Sequence, residues 1–179
     1  MWGEPKDFKH NPGERLIVSC SAFLAALLLI VDQISKVLVT HHFMLHEQKT
    51  VIPGFFDLTY IVNRGAAWGI LQGQVIVLLA IGVLVGVAVI VFMRWLTEGY
   101  TERYWAIFVI LSGIIGNSID RIWRGEVVDF LDFYIGQRHW PAFNVADISI
   151  CIGLSLYFLS LLLRAQKNQV PTKKNKSIS

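Results

Sequence analysis

Two aspartates stand at the ends of apolar runs in the second half of the chain. Asp120 follows the run 107–119, and Asp147 precedes the run 148–163. A carboxylate at membrane depth is costly, so an ionisable residue there is a functional candidate. If the two runs are consecutive spanning helices, both carboxyl groups lie on the same side of the membrane. Such a pair could share one proton and activate water, which makes peptide hydrolysis the leading hypothesis.

Two carboxyl groups about 3 Å apart cannot both ionise easily, so one keeps its proton. The charged member would take a proton from water, and the neutral member would protonate the scissile carbonyl and later the leaving amine. The sequence leaves open which member plays which part. A structural alternative also remains, because Asp147 is a good helix N-cap and Asp120 could pair with Arg124 one turn on. Four other acidic residues compete for the role: Asp32, Asp57, Asp129 and Asp132.

Neighbouring polar residues could support such a site. Asn117 and Asn144 each precede one of the two aspartates by three residues, so each could orient a carboxyl group or a substrate carbonyl. Both could equally satisfy local backbone groups. Asp32 and Lys36 are four residues apart with the acid first, the favourable order for a helical ion pair, and we interpret them as structural.

The composition indicates which elements carry these residues. The chain has 179 residues, of which 54% are hydrophobic and 16% charged, against about 25% charged residues in soluble proteins. Four segments reach or approach the ~20 residues that span a bilayer core. We therefore expect an all-α integral membrane protein with four transmembrane helices. The expected spans are about 16–39, 75–93, 104–120 and 147–163.

The rest of the chain divides into termini and two long loops. We expect a leader at 1–15, a membrane domain at 16–163 with outer segments 40–74 and 121–146, and a basic tail at 164–179. Of 16 Lys and Arg residues, ten lie in the termini and the loop between the second and third spans, which predicts that both termini are cytoplasmic. The net charge of +3 needs no nucleic-acid partner, because the basic tail suits an anionic membrane surface.

The outer segments contain two aromatic and β-branched runs, 55–62 and 127–134, which predict strands. In the third span, Gly113 and Gly116 lie on the same face as Asp120 and would let another helix approach closely. His42 and His46 have a spacing that metal ligands also use, but no HExxH pattern is present. We therefore expect no metal site and no cofactor.

Five blocks together resemble the lipoprotein signal peptidase family, also called signal peptidase II, whose members are membrane aspartic peptidases. They occur in the family's order and cover nearly the whole region from 16 to 163. The blocks are Asp32-Gln33-Ile34-Ser35-Lys36, Asn63-Arg64-Gly65-Ala66-Ala67-Trp68, Gly116-Asn117-Ser118-Ile119-Asp120-Arg121, Val128-Asp129-Phe130 and Phe143-Asn144-Val145-Ala146-Asp147.

The resemblance implies a catalytic pair at Asp120 and Asp147. It also implies a substrate, a prolipoprotein whose cysteine carries a diacylglyceryl group, and cleavage of the peptide bond before that cysteine. A small extracytoplasmic β-cradle and a location in the bacterial inner membrane are implied too. The residues implied to support the site or hold the substrate are Asp32, Lys36, Asn63, Arg64, Asn117, Asp129 and Asn144.

The sequence also leads to expectations about the oligomeric state and the location of the site, and it leaves two other functions to consider. We expect a monomer that meets its substrate and the lipid from within the membrane, with the site near the outer face. The alternative is a small proton-coupled transporter, since intramembrane acids also form proton relays. The acids here gather toward one side of the membrane, which disfavours a relay. A non-catalytic scaffold would tolerate amide substitution of both aspartates.

Overall fold

A computed structural model describes residues 12–66 and 69–169 of the chain. The proposed leader and tail fall largely outside these described residues. The elements, in order, are α1 (Pro12–His42), β1 (Gln48–Ile52), β2 (Phe56–Asn63), α2 (Val75–Val91), α3 (Met93–Thr97), α4 (Thr101–Trp123), β3 (Val127–Ile135), β4 (Arg138–His139) and α5 (Val145–Gln169).

Long apolar helices dominate the fold, as the composition predicts. Among the described residues, three helices are long and apolar enough to cross a membrane, and they correspond to α1, α4 and most of α5. The helix α2 is apolar throughout but has 17 residues, slightly fewer than the ~20 that span the hydrocarbon core. The short helix α3, which follows α2, was not predicted.

The helix α4 is the centre of the helical part, and it packs against α1, α2 and α5. Two glycines make this contact close. A Cβ atom on Gly113 would lie 2.3 Å from the carbonyl oxygen of Ala146, and one on Gly116 would lie 2.6 Å from Asp32 Oδ2. The predicted close approach of neighbouring helices beside these glycines is therefore confirmed.

A four-stranded antiparallel sheet covers one end of the helices, in the order β1-β2-β3-β4. The two predicted strands are present as β2 and β3. Both hairpin turns use a glycine with positive φ, Gly54 at 79° and Gly136 at 62°, a conformation that costs glycine little. The all-α description was therefore too narrow. The edge strands β1 and β4 lacked a signal because their side chains are exposed and mostly polar.

The sheet is fixed to the helices through a small apolar cluster. Val39 near the end of α1 packs with Val128 and Phe130 of β3, and Phe43 and Val145 pack against them. This contact anchors β3 beside the start of α5. Polar residues on these two elements are thereby brought together.

Candidate active site

Asp147 lies in the first turn of α5, where a reciprocal cap fixes its carboxyl group. The Asn144 side-chain oxygen accepts the Asp147 N–H at 3.0 Å, and Asp147 Oδ2 accepts the Asn144 N–H at 3.3 Å. This is the arrangement of a capping box. Asn117 of α4 donates through Nδ2 to Asp147 Oδ1 at 2.8 Å. Both oxygens of the carboxyl group are therefore held by asparagines.

Asp129 lies in β3, and asparagines hold its carboxyl group as well. Asn144 Nδ2 donates to Asp129 Oδ1 at 2.7 Å, and Asn63 Nδ2 donates to Asp129 Oδ2 at 3.1 Å. The β2–β3 register pairs Asn63 with Val127 and Ile61 with Asp129. Because residues two apart in a strand share a face, this register puts Asn63 and Asp129 on the same face of the sheet.

The side chain of Asn144 thus joins Asp129 to Asp147. Both aspartates line one cavity of about 950 Å³. Arg121, Asn63 and Asn117 add the other polar groups to its wall. The remaining wall is mostly apolar and extends along α5 through Ile148, Ile150, Cys151 and Ile152. A peptide with an apolar attachment could therefore lie against the two carboxyl groups.

The environment of Asp129 favours its protonated form. The pKa of Asp129 is raised from 3.8 to about 7. Burial is the largest cause and the nearby Asp147 carboxylate adds to it, while hydrogen bonds from Asn63 and Asn144 and the charge of Lys36 oppose the rise. A carboxyl group that keeps its proton near neutral pH can act as an acid.

Asp120 has a different environment from the one that the sequence led us to expect. Its side chain is fully buried, lies 2.6 Å from Lys36 Nζ and is also paired with Arg124. It is not among the residues that line the cavity. The connection from Asp120 to Asp147 runs through Lys36 and Asn117, since Lys36 Nζ donates to Asn117 Oδ1 at 3.2 Å.

The predicted proton-sharing pair of Asp120 and Asp147 therefore has no support in the geometry. The physical reason is that the Asp120 side chain on α4 contacts the ammonium group of Lys36 on α1 and does not reach the cavity. The structural alternative, an Asp120–Arg124 ion pair at i,i+4, is present.

Asp32 and Lys36 form the rest of this buried cluster. Lys36 Nζ lies 2.9 Å from Asp32 Oδ2, and both side chains are buried. Asp32 Oδ1 accepts the backbone N–H of Ala146 at 2.8 Å, which ties α1 to the first turn of α5. The cluster therefore sets the position of the segment that carries Asp147.

The sequence singled out Arg64 as a site residue, but Arg121 is the arginine that lines the cavity. Arg64 is 64% exposed and pairs with Glu126 at 2.9 Å, and it does not line the cavity. Arg121 does line it, donating to the carbonyl oxygens of Asn117 at 3.2 Å and Gly65 at 3.1 Å. Sequence reasoning missed Arg121, although it directly follows Asp120 in one of the quoted blocks.

Histidines, cysteines and acids do not gather into a metal site within 12–66 and 69–169. No group of three or more such side chains there is arranged to hold a metal ion.

Comparison with known proteins identifies the family. Residues 24–163 match the family model of signal peptidase (SPase) II. The lipoprotein signal peptidase of Syntrophotalea carbinolica is 44% identical over 141 residues, which cover 76% of this chain and 87% of that protein. The one from Bacillus pumilus is 39% identical over 151 residues, covering 83% of this chain and 96% of that protein.

Solved structures agree with this assignment. A bacterial membrane enzyme determined by the in meso method at 2.3 Å resolution superposes with a TM-score of 0.78 at 33% identity, covering 90% of this chain and 95% of that one. A second such structure, at 1.9 Å, gives a TM-score of 0.73 at 35% identity and covers 80% of this chain and 93% of that one. The transporter alternative is not supported. The chain therefore belongs to the signal peptidase II family, a family of membrane hydrolases that act as lipoprotein signal peptidases.

Proposed function

We propose that Asp129 and Asp147 are the catalytic pair, and that they hydrolyse the peptide bond before the diacylglyceryl-modified cysteine of a prolipoprotein. The observation that carries this proposal is that Asp129 and Asp147 line one cavity, with Asn144 hydrogen-bonded to both carboxyl groups. Asp120 is replaced in the pair because two cations already neutralise it away from the cavity.

The chemistry follows from one proton held between two carboxyl groups. The ionised member takes a proton from water as the water oxygen attacks the scissile carbonyl carbon, and the neutral member protonates the carbonyl oxygen. The resulting tetrahedral intermediate collapses when the carboxyl group that took the proton from water gives it to the nitrogen and the C–N bond breaks. The other carboxylate takes back the proton of the hydroxyl group as the new carboxyl group forms, which restores the pair. Because the two groups titrate together, the proton belongs to the pair rather than to one residue.

The surrounding residues position the two carboxyl groups and bind the substrate. Asn63, Asn117 and Asn144 hold the carboxyl groups in position, and the guanidinium of Arg121 can meet a substrate carbonyl at the cavity wall. The apolar wall along α5 suits acyl chains, and Ile152 on it is half exposed on the outside of the helix bundle. A substrate already in the bilayer can therefore enter sideways from the lipid.

We further propose four crossings, with α2 as the short fourth span and both termini in the cytoplasm. The end of α1, the start of α2, the end of α4 and the start of α5 all adjoin sheet or loop segments that carry the site. The Lys and Arg distribution in the sequence supports a cytoplasmic location for the opposite end. The site then lies near the outer face of the inner membrane, in a protein that works as a monomer among lipids.

The dependence of activity on pH follows from the raised pKa of Asp129. With that pKa at about 7, the proton that the pair must hold is lost as the pH rises through neutrality. We expect kcat/KM to fall about tenfold per pH unit above that point. The free energy of unfolding should also fall as the pH rises from the ordinary value of 3.8 to about 7, because the unfolded chain binds fewer protons in that range.

The measurement is kcat/KM on a lipidated peptide from about pH 5 to 9, with thermal unfolding recorded at each pH to exclude denaturation. Activity that stays constant across the alkaline range would count against a shared proton at Asp129.

Cys151 offers a test of where the substrate lies. It is one turn beyond Asp147 on α5, is exposed and lines the cavity. In a Cys20→Ser background it is the one remaining thiol, since the sequence contains two cysteines. A bulky maleimide on Cys151 should lower cleavage by roughly tenfold or more, because even small displacements from the reacting geometry are costly.

The matched control keeps Cys20 and replaces Cys151 with Ser. Cys20 is exposed on α1 and does not line the cavity, so the same reagent should leave the activity of this variant as it was before labelling. Full activity of the protein labelled at Cys151 would place the substrate elsewhere.

The proposed substrate is tested with two peptides of one sequence, one carrying the diacylglyceryl group on its cysteine and one without it. Purified protein in detergent should cleave the lipidated peptide far faster, because the apolar wall then binds the acyl chains. Equal cleavage of the two peptides would refute the lipid requirement.

A further inference from the structure

A second cavity of about 430 Å³ adjoins the catalytic one on the side of the sheet. The two cavities share part of their walls, namely Ile61, Trp140, Pro141 and Ala142. The second cavity adds three polar residues, Gln48, Asp132 and His139. The catalytic steps described above use none of these three side chains.

Asp132 and His139 form a hydrogen-bonded pair in this cavity. Asp132 is buried, and His139 Nδ1 lies 2.9 and 3.0 Å from its two carboxylate oxygens. The ring of Tyr134 stacks on the imidazole at 4.8 Å between centroids. Because the carboxylate accepts the Nδ1 proton, Nε2 is left to accept a hydrogen bond from another group when the ring is neutral.

The segment 140–143, which lies between the two cavities, also has backbone groups that can bind a peptide. Phe143 pairs with Leu131 of β3 through both its N–H, at 3.1 Å, and its carbonyl oxygen, at 2.9 Å. The Trp140 N–H donates to the Phe133 carbonyl of β3 at 2.8 Å, and Pro141 has no N–H. The alternation of antiparallel pairing next to Phe143 therefore leaves Ala142 as the residue of this segment whose N–H and carbonyl are directed away from β3. Ala142 lines both cavities. An extended peptide can add to such an edge through main-chain hydrogen bonds.

We propose that residues 140–142 and the second cavity bind the part of the substrate that follows the lipidated cysteine, with His139 Nε2 accepting a backbone N–H of that extended segment. This inference rests on the proposed function. Three residue steps separate Ala142 from His139, about 10 Å at ~3.3 Å per residue, so the site holds two or three substrate residues. The signal-peptide side stays in the lipid, and the following residues leave toward water over the sheet.

The test compares two lipidated peptides with the same signal sequence, one ending at the cysteine as an amide and one continuing for three residues. For the unmodified protein, kcat/KM should be roughly three- to tenfold higher with the longer peptide, the value of one net hydrogen bond. In His139→Phe the ring can still stack on Tyr134 but has no nitrogen, and the ratio of the two kcat/KM values should fall to about one.

The matched control is His42→Phe. His42 is exposed on α1, and its Nδ1 is likewise hydrogen-bonded, to the carbonyl of Leu38 at 2.8 Å. This variant should keep the original ratio. A substrate-side version needs no change in the protein, because N-methylation of the backbone amides after the cysteine should abolish the advantage of the longer peptide.

The outcomes separate the two proposals. No preference for the longer peptide, or a preference that survives both His139→Phe and N-methylation, would overturn this inference while cleavage itself stands. Failure of the unmodified protein to cleave either lipidated peptide would instead refute the proposed function.

Discussion

Asp129→Asn and Asp147→Asn will each lower kcat by ~10³-fold or more and leave the protein folded. An amide cannot hold the proton that the pair must pass to the substrate, nor take one from water. It is nearly the same size as the carboxyl group, and its one oxygen still accepts one of the two hydrogen bonds that each aspartate accepts, so the fold is retained. The measurement is single-turnover cleavage of a lipidated peptide, with thermal unfolding as the check on folding.

Asp57→Asn is the matched control for this pair of substitutions. Asp57 is also a buried carboxylate on the sheet, where Tyr134 donates to it at 3.1 Å, but it does not line the catalytic cavity. Its amide variant should cleave within a few-fold of the unmodified protein. Substantial turnover by Asp129→Asn would contradict the assignment, and so would an equal loss in the control.

Asp120→Asn will act mainly on stability. The substitution leaves the buried Lys36 ammonium with Asp32 as its remaining ion-pair partner and removes the partner of Arg124. Breaking a buried ion pair by removing one member costs about 3–5 kcal/mol. Because Asp32 still compensates the charge of Lys36, we expect a loss toward the lower end of that range. The midpoint of thermal unfolding in detergent should fall clearly below that of Asp57→Asn.

A double-mutant cycle tests the reason for this loss. Lys36→Met alone leaves Asp32 and Asp120 buried without the ammonium group between them. Lys36→Met combined with Asp120→Asn removes one charge of each sign, so the double variant should be more stable than the sum of the single losses by about 1–3 kcal/mol. Strictly additive losses would mean that the two side chains do not interact in the folded protein.

The helices were predictable because their signal is local. Long apolar runs bounded by polar residues predicted α1 and α4 to within four residues at each end, and α5 to within six. Aromatic and β-branched runs predicted β2 and β3. The strands β1 and β4 were missed because they are short, exposed edges whose pairing is set by their hairpin partners.

The geometry favours Asp129 over Asp120 as the partner of Asp147, for a reason that the linear sequence cannot display. Asp120 and Asp129 both lie toward the end of the helices that adjoins the sheet, and the apolar run before Asp120 made it the more conspicuous of the two. Its ion pair with Arg124 was visible as an i,i+4 spacing. Its contact with Lys36 depends on how α1 packs against α4, and no local pattern encodes that packing.

Asp129 can be recognised as a partner of Asp147 only when the register between β2 and β3 is known. Its hydrogen bond from Asn63 exists because β2 and β3 pair in a particular alignment, and its link to Asp147 exists because Asn144 lies between β3 and α5. The Val128-Asp129-Phe130 block did indicate a possible site residue, because it places an acidic residue among apolar residues of a strand. Only the tertiary contacts turn that acid into a partner for Asp147.

In the proposed mechanism, Asp129 and Asp147 act together on one substrate bond. The most direct measurement is a structure of the protein with a lipidated peptide in which a secondary hydroxyl replaces the scissile amide. The hydroxyl oxygen should lie within about 3.2 Å of a carboxyl oxygen of both Asp129 and Asp147, since that is hydrogen-bonding distance. A hydroxyl bound to Asp120, or bound outside the cavity, would rule out Asp129 and Asp147 as the catalytic pair.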